Sequence, residues 1–166
     1  LYIPLYGKAA VSARGILLSD PEAEAIWKAQ GFPLKGKAAS KWLTYSMGIR
    51  AAVFDRWLRE NLTPDAVVLH LGCGLDSRCK RVECDNLWFD VDFPAVIGER
   101  KKYFSETGNY RMIGADLRED FLREIPSGGS AIVVMEGVSM YLTAPERQAL
   151  LKRLAGHFSQ VRLLMD

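Results

Sequence analysis

The chain has 166 residues, enough for one domain with a sizeable core, and its 49% hydrophobic and 25% charged residues are those of an ordinary soluble globular protein. Its net charge of +2 comes from scattered basic residues, which gives no support to a nucleic-acid partner or a membrane-surface role. Cys73, Cys79 and Cys84 lack paired CxxC spacing, so no zinc or other metal centre is expected, and a reduced, cytoplasmic setting is. No apolar run reaches the roughly 18 residues of a membrane span, and no signal peptide is visible. The chain starts at Leu1 and stops on "VRLLMD", which reads as a strand entering a sheet; the expectation is that the natural protein is longer or that this is its ordered part.

Residues 1–65 read as an amino-terminal helical segment or lid, and 66–166 as an α/β core within a single domain. In the first 40 residues one helix is clear, "SDPEAEAIWKAQG", with Ser19 or Asp20 as cap, Pro21 in the first turn and Gly31 at the end. "PLKGKAASK" (33–41) reads as a loop. A long amphipathic helix is predicted over 41–61, with Trp42, Tyr45, Ile49, Val53, Trp57 and Leu58 near helical spacing, until Thr63-Pro64-Asp65 breaks it.

From residue 66 short strands alternate with helices. The predicted strands are "AVVLHL" (66–71), "NLWFDV" (86–91), "YRMIGA" (110–115), "AIVVME" (131–136) and "VRLLMD" (161–166). Several are near-continuous apolar runs, as expected for strands covered on both faces. Helices are predicted near 94–106, 118–124 and 144–158. The last opens with the capping-box pattern Thr143-Ala144-Pro145-Glu146 and turns Leu150, Leu151, Leu154 and Phe158 inward. The pattern implies an α/β fold, a doubly wound, mostly parallel Rossmann-like sheet with flanking helices.

In such a sheet ligands bind at the carboxyl ends of the strands, near the point where strand order reverses. The first strand ends in "LGCGLDSR", where Gly72 and Gly74 allow a tight turn and a close backbone approach. The third glycine of a dinucleotide fingerprint would fall at position 77, which is Ser. The second strand ends in "FDVDFP", and Asp92 lies 18 residues after Gly74, near the offset at which an acid meets a ribose diol. The alternative is a solvated aspartate before Pro94. The third ends in "GADLRED", where Asp116 could accept from an adenine amino group and Leu117 cover the ring, or Asp116 could cap a short helix. The fourth places Glu136 before Gly137, suited to an ammonium or sulfonium. Acids at successive strand ends are stronger evidence together than singly.

The remaining features have plainer readings. His70 reads as a hydrogen-bonded strand residue and His157 as a surface residue near a helix C-terminus. Trp27, Trp42, Trp57 and Trp88 read as core and helix packing, and "ERKK" (99–102) as a solvated helix face.

The motifs "LYGKAAVSARGILLSDPEA", "LGCGLDSR", "WFDVDFPAVIGERKKYF", "GADLRED" and "MEGVSMYLTAPERQALL" together resemble the leucine carboxyl methyltransferase-like group of class I S-adenosylmethionine-dependent methyltransferases, which includes bacterial polyketide O-methyltransferases. The resemblance implies S-adenosylmethionine as cofactor. It implies that Arg50 pairs with the methionine carboxylate, that Gly72 and Gly74 lie against the methionyl part, and that Asp92 holds the ribose. It further places Asp116 and Leu117 at the adenine, Glu136 near the methionine amino group and Tyr141 near the reacting methyl. Lys8 would lie in a segment closing over the cofactor, and Arg78 would be structural. The acceptor implied is a carboxylate or hydroxyl of a small, polyketide-like molecule. A carboxylate, ionised at neutral pH, needs no general base, whereas a phenol would benefit from one. A nicotinamide-dependent oxidoreductase and a non-catalytic S-adenosylmethionine-binding module stay as alternatives.

Overall fold

A computed structural model describes residues 1–31 and 33–166. The chain divides into two compact units, Leu1–Arg56 with Leu75–Glu83, and Trp57–Gly74 with Cys84–Asp166. Among the described residues no helix is long and apolar enough to cross a membrane.

The first unit is helical. α1 (Tyr2–Ser12) precedes α2 (Pro21–Gln30), whose N-terminus Asp20 caps by accepting the Ala23 amide; Gly31 ends it at φ 69°. A 3-10 turn, Gly36–Ala39, interrupts the predicted loop before α3 (Lys41–Asn61). The sequence pattern did not foresee α1, because Pro4 and Gly7 weaken its local signal. Packing supplies what propensity lacks. A Cβ on Gly7 would stand 2.5 Å from the Met47 Cβ, and one on Gly48 would stand 2.8 Å from a Val11 methyl, so bare backbone lets α1 and α3 approach closely.

α3 buries a face rotated from the predicted one, keeping only Leu58 of its six residues fully inside. Thr44, Gly48, Ala51, Phe54 and Leu58 face inward, while Ile49 and Val53 are exposed and Trp42 is 77% exposed, not packed as expected. The small residues mark where helices can meet, and the bulkiest side chains do not.

The buried half of α3 also carries charge. Asp55 accepts from Arg78 Nε at 2.7 Å and from Arg81 Nε at 2.6 Å. Arg81, on the short helix α4 (Arg78–Arg81), also reaches Asp20 at 2.6 Å and Asp76 at 2.8 Å, and Lys8 pairs with Asp76 at 3.0 Å. Three aspartates thus meet three cations. Burial pulls the Arg81 pKa down, but Asp76, Asp55 and Asp20 together raise it well above the ordinary arginine range. Arg78 is fully buried, paired with Asp55 and with Asp76 at 3.3 Å.

The second unit is a five-stranded parallel sheet in the order β3-β2-β1-β4-β5. Its strands are β1 (Val67–Leu71), β2 (Trp88–Asp92), β3 (Tyr110–Gly114), β4 (Gly128–Met135) and β5 (Phe158–Met165). α5 (Pro94–Arg100) follows β2, with one further turn bonding the Phe104 amide to the Arg100 carbonyl. The helix predicted at 118–124 is reduced to a 3-10 turn, Leu122–Glu124, because Asp116 draws the Arg118 amide and side chain into a tight turn ahead of it. α6 (Ala144–His157) starts with the predicted Thr143–Glu146 capping box; it buries Leu150 and Leu154 but leaves Leu151 exposed. Leu69, Leu71, Val91, Val133 and Met135 form the centre of the core against α6.

A second charge system lies inside this sheet. Asp90 accepts from Trp88 Nε1 at 2.8 Å, Tyr110 Oη at 2.6 Å and Arg100 Nη2 at 2.5 Å, with His70 Nδ1 at 3.2 Å. Arg100 is fully buried, so "ERKK" is not a solvated face throughout. His70 is the bonded strand residue expected of it. His157 is half-buried, and its Nε2 lies 2.9 Å from the Ile125 carbonyl.

Burial pushes the Asp90 carboxyl upward in pKa, but Arg100, then His70 and Tyr110, overcome it and hold the group at about 2. The folded pKa lies below the ordinary 3.8, so this stabilisation is present above about pH 4 and is lost as pH falls toward 2. It is worth on the order of 2 kcal/mol. Carbon NMR titration of the aspartate carboxyls is expected to place the Asp90 midpoint near 2; a midpoint at an ordinary carboxyl value would contradict the network.

Candidate functional site

Because all five strands run parallel, their carboxyl ends share one edge, and the chain crosses from one side of β1 to the other between β3 and β4. The β1/β4 boundary is therefore the point where a ligand cleft is expected.

β1 leaves the sheet through Gly72-Cys73-Gly74. The Gly72 amide donates to the Val91 carbonyl at 2.7 Å, and both glycines have positive φ, 68° and 54°. A Cβ on Gly72 would lie 2.2 Å from a Val138 methyl, so the turn is bare backbone pressed against the loop after β4. β2, paired beside it, ends on Asp92. One Asp92 oxygen accepts the Gly74 amide at 2.8 Å and the other the Phe93 amide at 2.8 Å. Each oxygen keeps acceptor capacity, and the residue is only partly buried. A glycine turn beside an ionisable carboxylate suits a ribose diol with an adjoining polar chain, so the residues present fit the cofactor expected from the sequence.

The next strand ends extend the site. Asp116, two residues beyond β3, takes a bidentate hydrogen bond from Arg118, whose Nη2–Oδ2 distance is 2.5 Å. Arg118 holds its carboxyl below the usual range, which leaves an ionised acceptor. The turn that Asp116 caps is the alternative that the sequence left open. Leu117 is buried in the sheet's core cluster, and its carbonyl accepts from Arg153. Glu136 follows β4, where the Gly137 amide donates to Asp166 at 2.5 Å. Tyr141 ends a 3-10 turn, Ser139–Tyr141, and is 79% exposed.

Two expected residues belong to the first unit. Arg50 is half-buried on α3, and Lys8 is buried on α1, engaged with Asp76. Ser77, at the position of the missing third glycine, donates its hydroxyl to Asp20 and accepts from Arg81 at 2.9 Å. Its role there is to seat the segment after the glycine turn in the ionic cluster.

Sequence reasoning missed Arg100. Its Nη1 donates to the Gly74 carbonyl at 3.1 Å from inside the core. The available signal was its place ten residues past Asp90, at the end of the helix that follows the strand.

A family model described as leucine carboxyl methyltransferase matches residues 6–155. The tetracenomycin polyketide synthesis O-methyltransferase TcmP of Streptomyces glaucescens is 36% identical, the match covering 90% of this chain and 64% of that protein. The S-adenosyl-L-methionine-dependent methyltransferase dpfgK of Gibberella zeae is 34% identical, with 95% and 60% covered. The chain thus spans less than two thirds of the length of these curated relatives. Among solved structures, human N-acetylserotonin methyltransferase in complex with S-adenosyl-L-methionine is similar with a TM-score of 0.50 at 18% identity, over 93% of this chain and 45% of that one, a likeness of fold.

The close approach at Gly72 is testable by itself. Gly72→Ala combines an overlap with Val138 and a left-handed φ, and is expected to lower stability by roughly 2–4 kcal/mol in urea unfolding. Adding Val138→Ala should recover the steric part and leave the backbone strain of about 1–2 kcal/mol. Full stability in the single variant would show that the turn is not so constrained.

Proposed function

The chain belongs to the leucine carboxyl methyltransferase family, and from that premise we propose that it binds S-adenosylmethionine and acts as an O-methyltransferase on a carboxylate or hydroxyl of a small, polyketide-like molecule. The observation that carries the reading is the Asp92 carboxylate seated against the Gly72–Gly74 turn at the carboxyl edge of the sheet. Membership in this family leaves the oxidoreductase reading without support, in keeping with Ser77 at the third glycine position.

S-adenosylmethionine, when bound, supplies a methyl group on a positively charged sulfur, open to in-line displacement by an oxygen nucleophile. The work of the chain is then to bind, orient and exclude water. Asp92 accepts from the two ribose hydroxyls while its bonds to the Gly74 and Phe93 amides keep its oxygens in place. Gly72 and Gly74 present backbone without side chains to the methionyl part. Asp116, kept ionised by Arg118, accepts from the adenine amino group, with Leu117 backing it from the core. Glu136 attracts the methionine ammonium. Arg50 receives the methionine carboxylate and Tyr141 lines the reacting end, both assigned on family resemblance. The substrate class is supported by a relative named for polyketide synthesis; among the described residues His70 is committed to Asp90, which suits a carboxylate that needs no base.

Calorimetric titration with S-adenosylhomocysteine, with NADH as control, is expected to give micromolar binding of the former alone; binding of NADH instead would overturn the assignment. Asp92→Asn is expected to weaken S-adenosylhomocysteine by about 1–3 kcal/mol through unpaired ribose donors. Undiminished affinity in the folded variant would remove the ribose role. Arg50→Ala should weaken S-adenosylhomocysteine at least tenfold (about 1.4 kcal/mol) while leaving adenosine nearly unchanged. Equal losses for both ligands would show that Arg50 does not meet the amino-acid end.

A further inference from the structure

Resting on the cofactor reading of the glycine turn, we propose that Arg100 is a positioning residue for S-adenosylmethionine: anchored on Asp90 inside the sheet, it holds the Gly74 carbonyl and so sets the turn at its working distance from Asp92.

Gly74 has no side chain, so its peptide can be oriented only through its own amide and carbonyl. Both are held from the β2–α5 segment. The amide donates to Asp92 Oδ2 at 2.8 Å, and the carbonyl accepts from Arg100 Nη1 at 3.1 Å. Arg100 is itself fixed in three further directions. Its Nη2 donates to Asp90 Oδ2 at 2.5 Å, its Nε to Tyr110 Oη at 3.1 Å, and its Cζ lies over the Phe104 ring, 4.1 Å from the centroid. A guanidinium can span such separated acceptors because its donors are arranged in a rigid planar fork.

Neutralising Asp90 requires one cationic nitrogen beside the carboxylate. It does not require a second nitrogen on a glycine carbonyl at the end of another strand. That surplus contact is what separates positioning from charge balance. Asp90, in turn, is held by Trp88, Tyr110 and His70. The turn is therefore referenced to the rigid centre of the sheet and not to a surface loop.

Two variants separate the roles. Arg100→Lys keeps a charge for Asp90, but a single ammonium does not bridge to Gly74. Trp88→Phe removes one hydrogen bond from Asp90 without touching an anchor of Arg100, and leaves the Gly74 contact in place. Each is to be measured for urea stability, for amide hydrogen exchange at Gly74 and for S-adenosylhomocysteine affinity. For Arg100→Lys, exchange at Gly74 is expected to quicken and Kd to rise, each about tenfold, the scale of one hydrogen bond to a charged group. For Trp88→Phe, only stability is expected to fall. If Arg100→Lys does not fold, the neutral pair Asp90→Asn with Arg100→Gln reports the same two quantities. Unchanged exchange and affinity in the arginine variants would make Arg100 purely structural and overturn the proposal. Faster exchange with unchanged affinity would show that Arg100 holds the turn but that the turn does not serve the cofactor. Failure of the wild-type protein to bind S-adenosylhomocysteine would remove the cofactor reading and this proposal together.

Discussion

An ionised carboxylate shut away from water must find all its hydrogen bonds within the protein, and Asp90 meets that demand from three strands and a helix. Trp88 and Asp90 lie on β2, His70 on β1, Tyr110 on β3 and Arg100 on α5. Losing any one partner would leave a polar group stranded in the core, which is costly. The group therefore locks the register of three adjacent strands and the position of the helix that follows. Hydrophobic burial alone would leave that choice looser.

The same carboxylate lies two residues before Asp92, on the same strand. With alternation along the strand, Asp90 and Asp92 share a face but not a depth. Asp90 is inside the sheet, and Asp92 stands at its open end, where both of its oxygens hold backbone amides. One short segment, "FDVDFP", thus supplies a structural acid and a ligand-facing acid. Their different surroundings separate the roles: a guanidinium and a phenol around the first, a glycine turn beside the second.

The first unit shows the same economy with the opposite arrangement. Lys8, Asp20, Asp55, Asp76, Arg78 and Arg81 come from three helices and the segment after the glycine turn, yet their charges balance in one buried cluster. Ser77 joins them through Asp20. A residue that fails a dinucleotide fingerprint is thereby explained by what it does hold. The chain leaving Gly74 is tied down by charge, where a nicotinamide-binding fold would use a third glycine for helix packing.

The sequence by itself determined the five strands, their parallel sheet and the acids at the strand ends. Those features follow from local chemistry: apolar runs, glycines after a strand, and caps such as Thr143 with Glu146. The family resemblance was likewise legible in contiguous motifs. What only the tertiary structure decided depends on residues far apart in the chain. α1 forms because Gly7 meets Met47 across a helix packing that propensity does not register. α3 buries Gly48 and Ala51, so the stripe of larger side chains, Trp42 among them, turns outward. Within "ERKK", Arg100 looks like its solvated neighbours until Asp90 is brought against it. A side chain's charge can be read from one position, but whether that charge is solvated or buried depends on the partner that folding delivers.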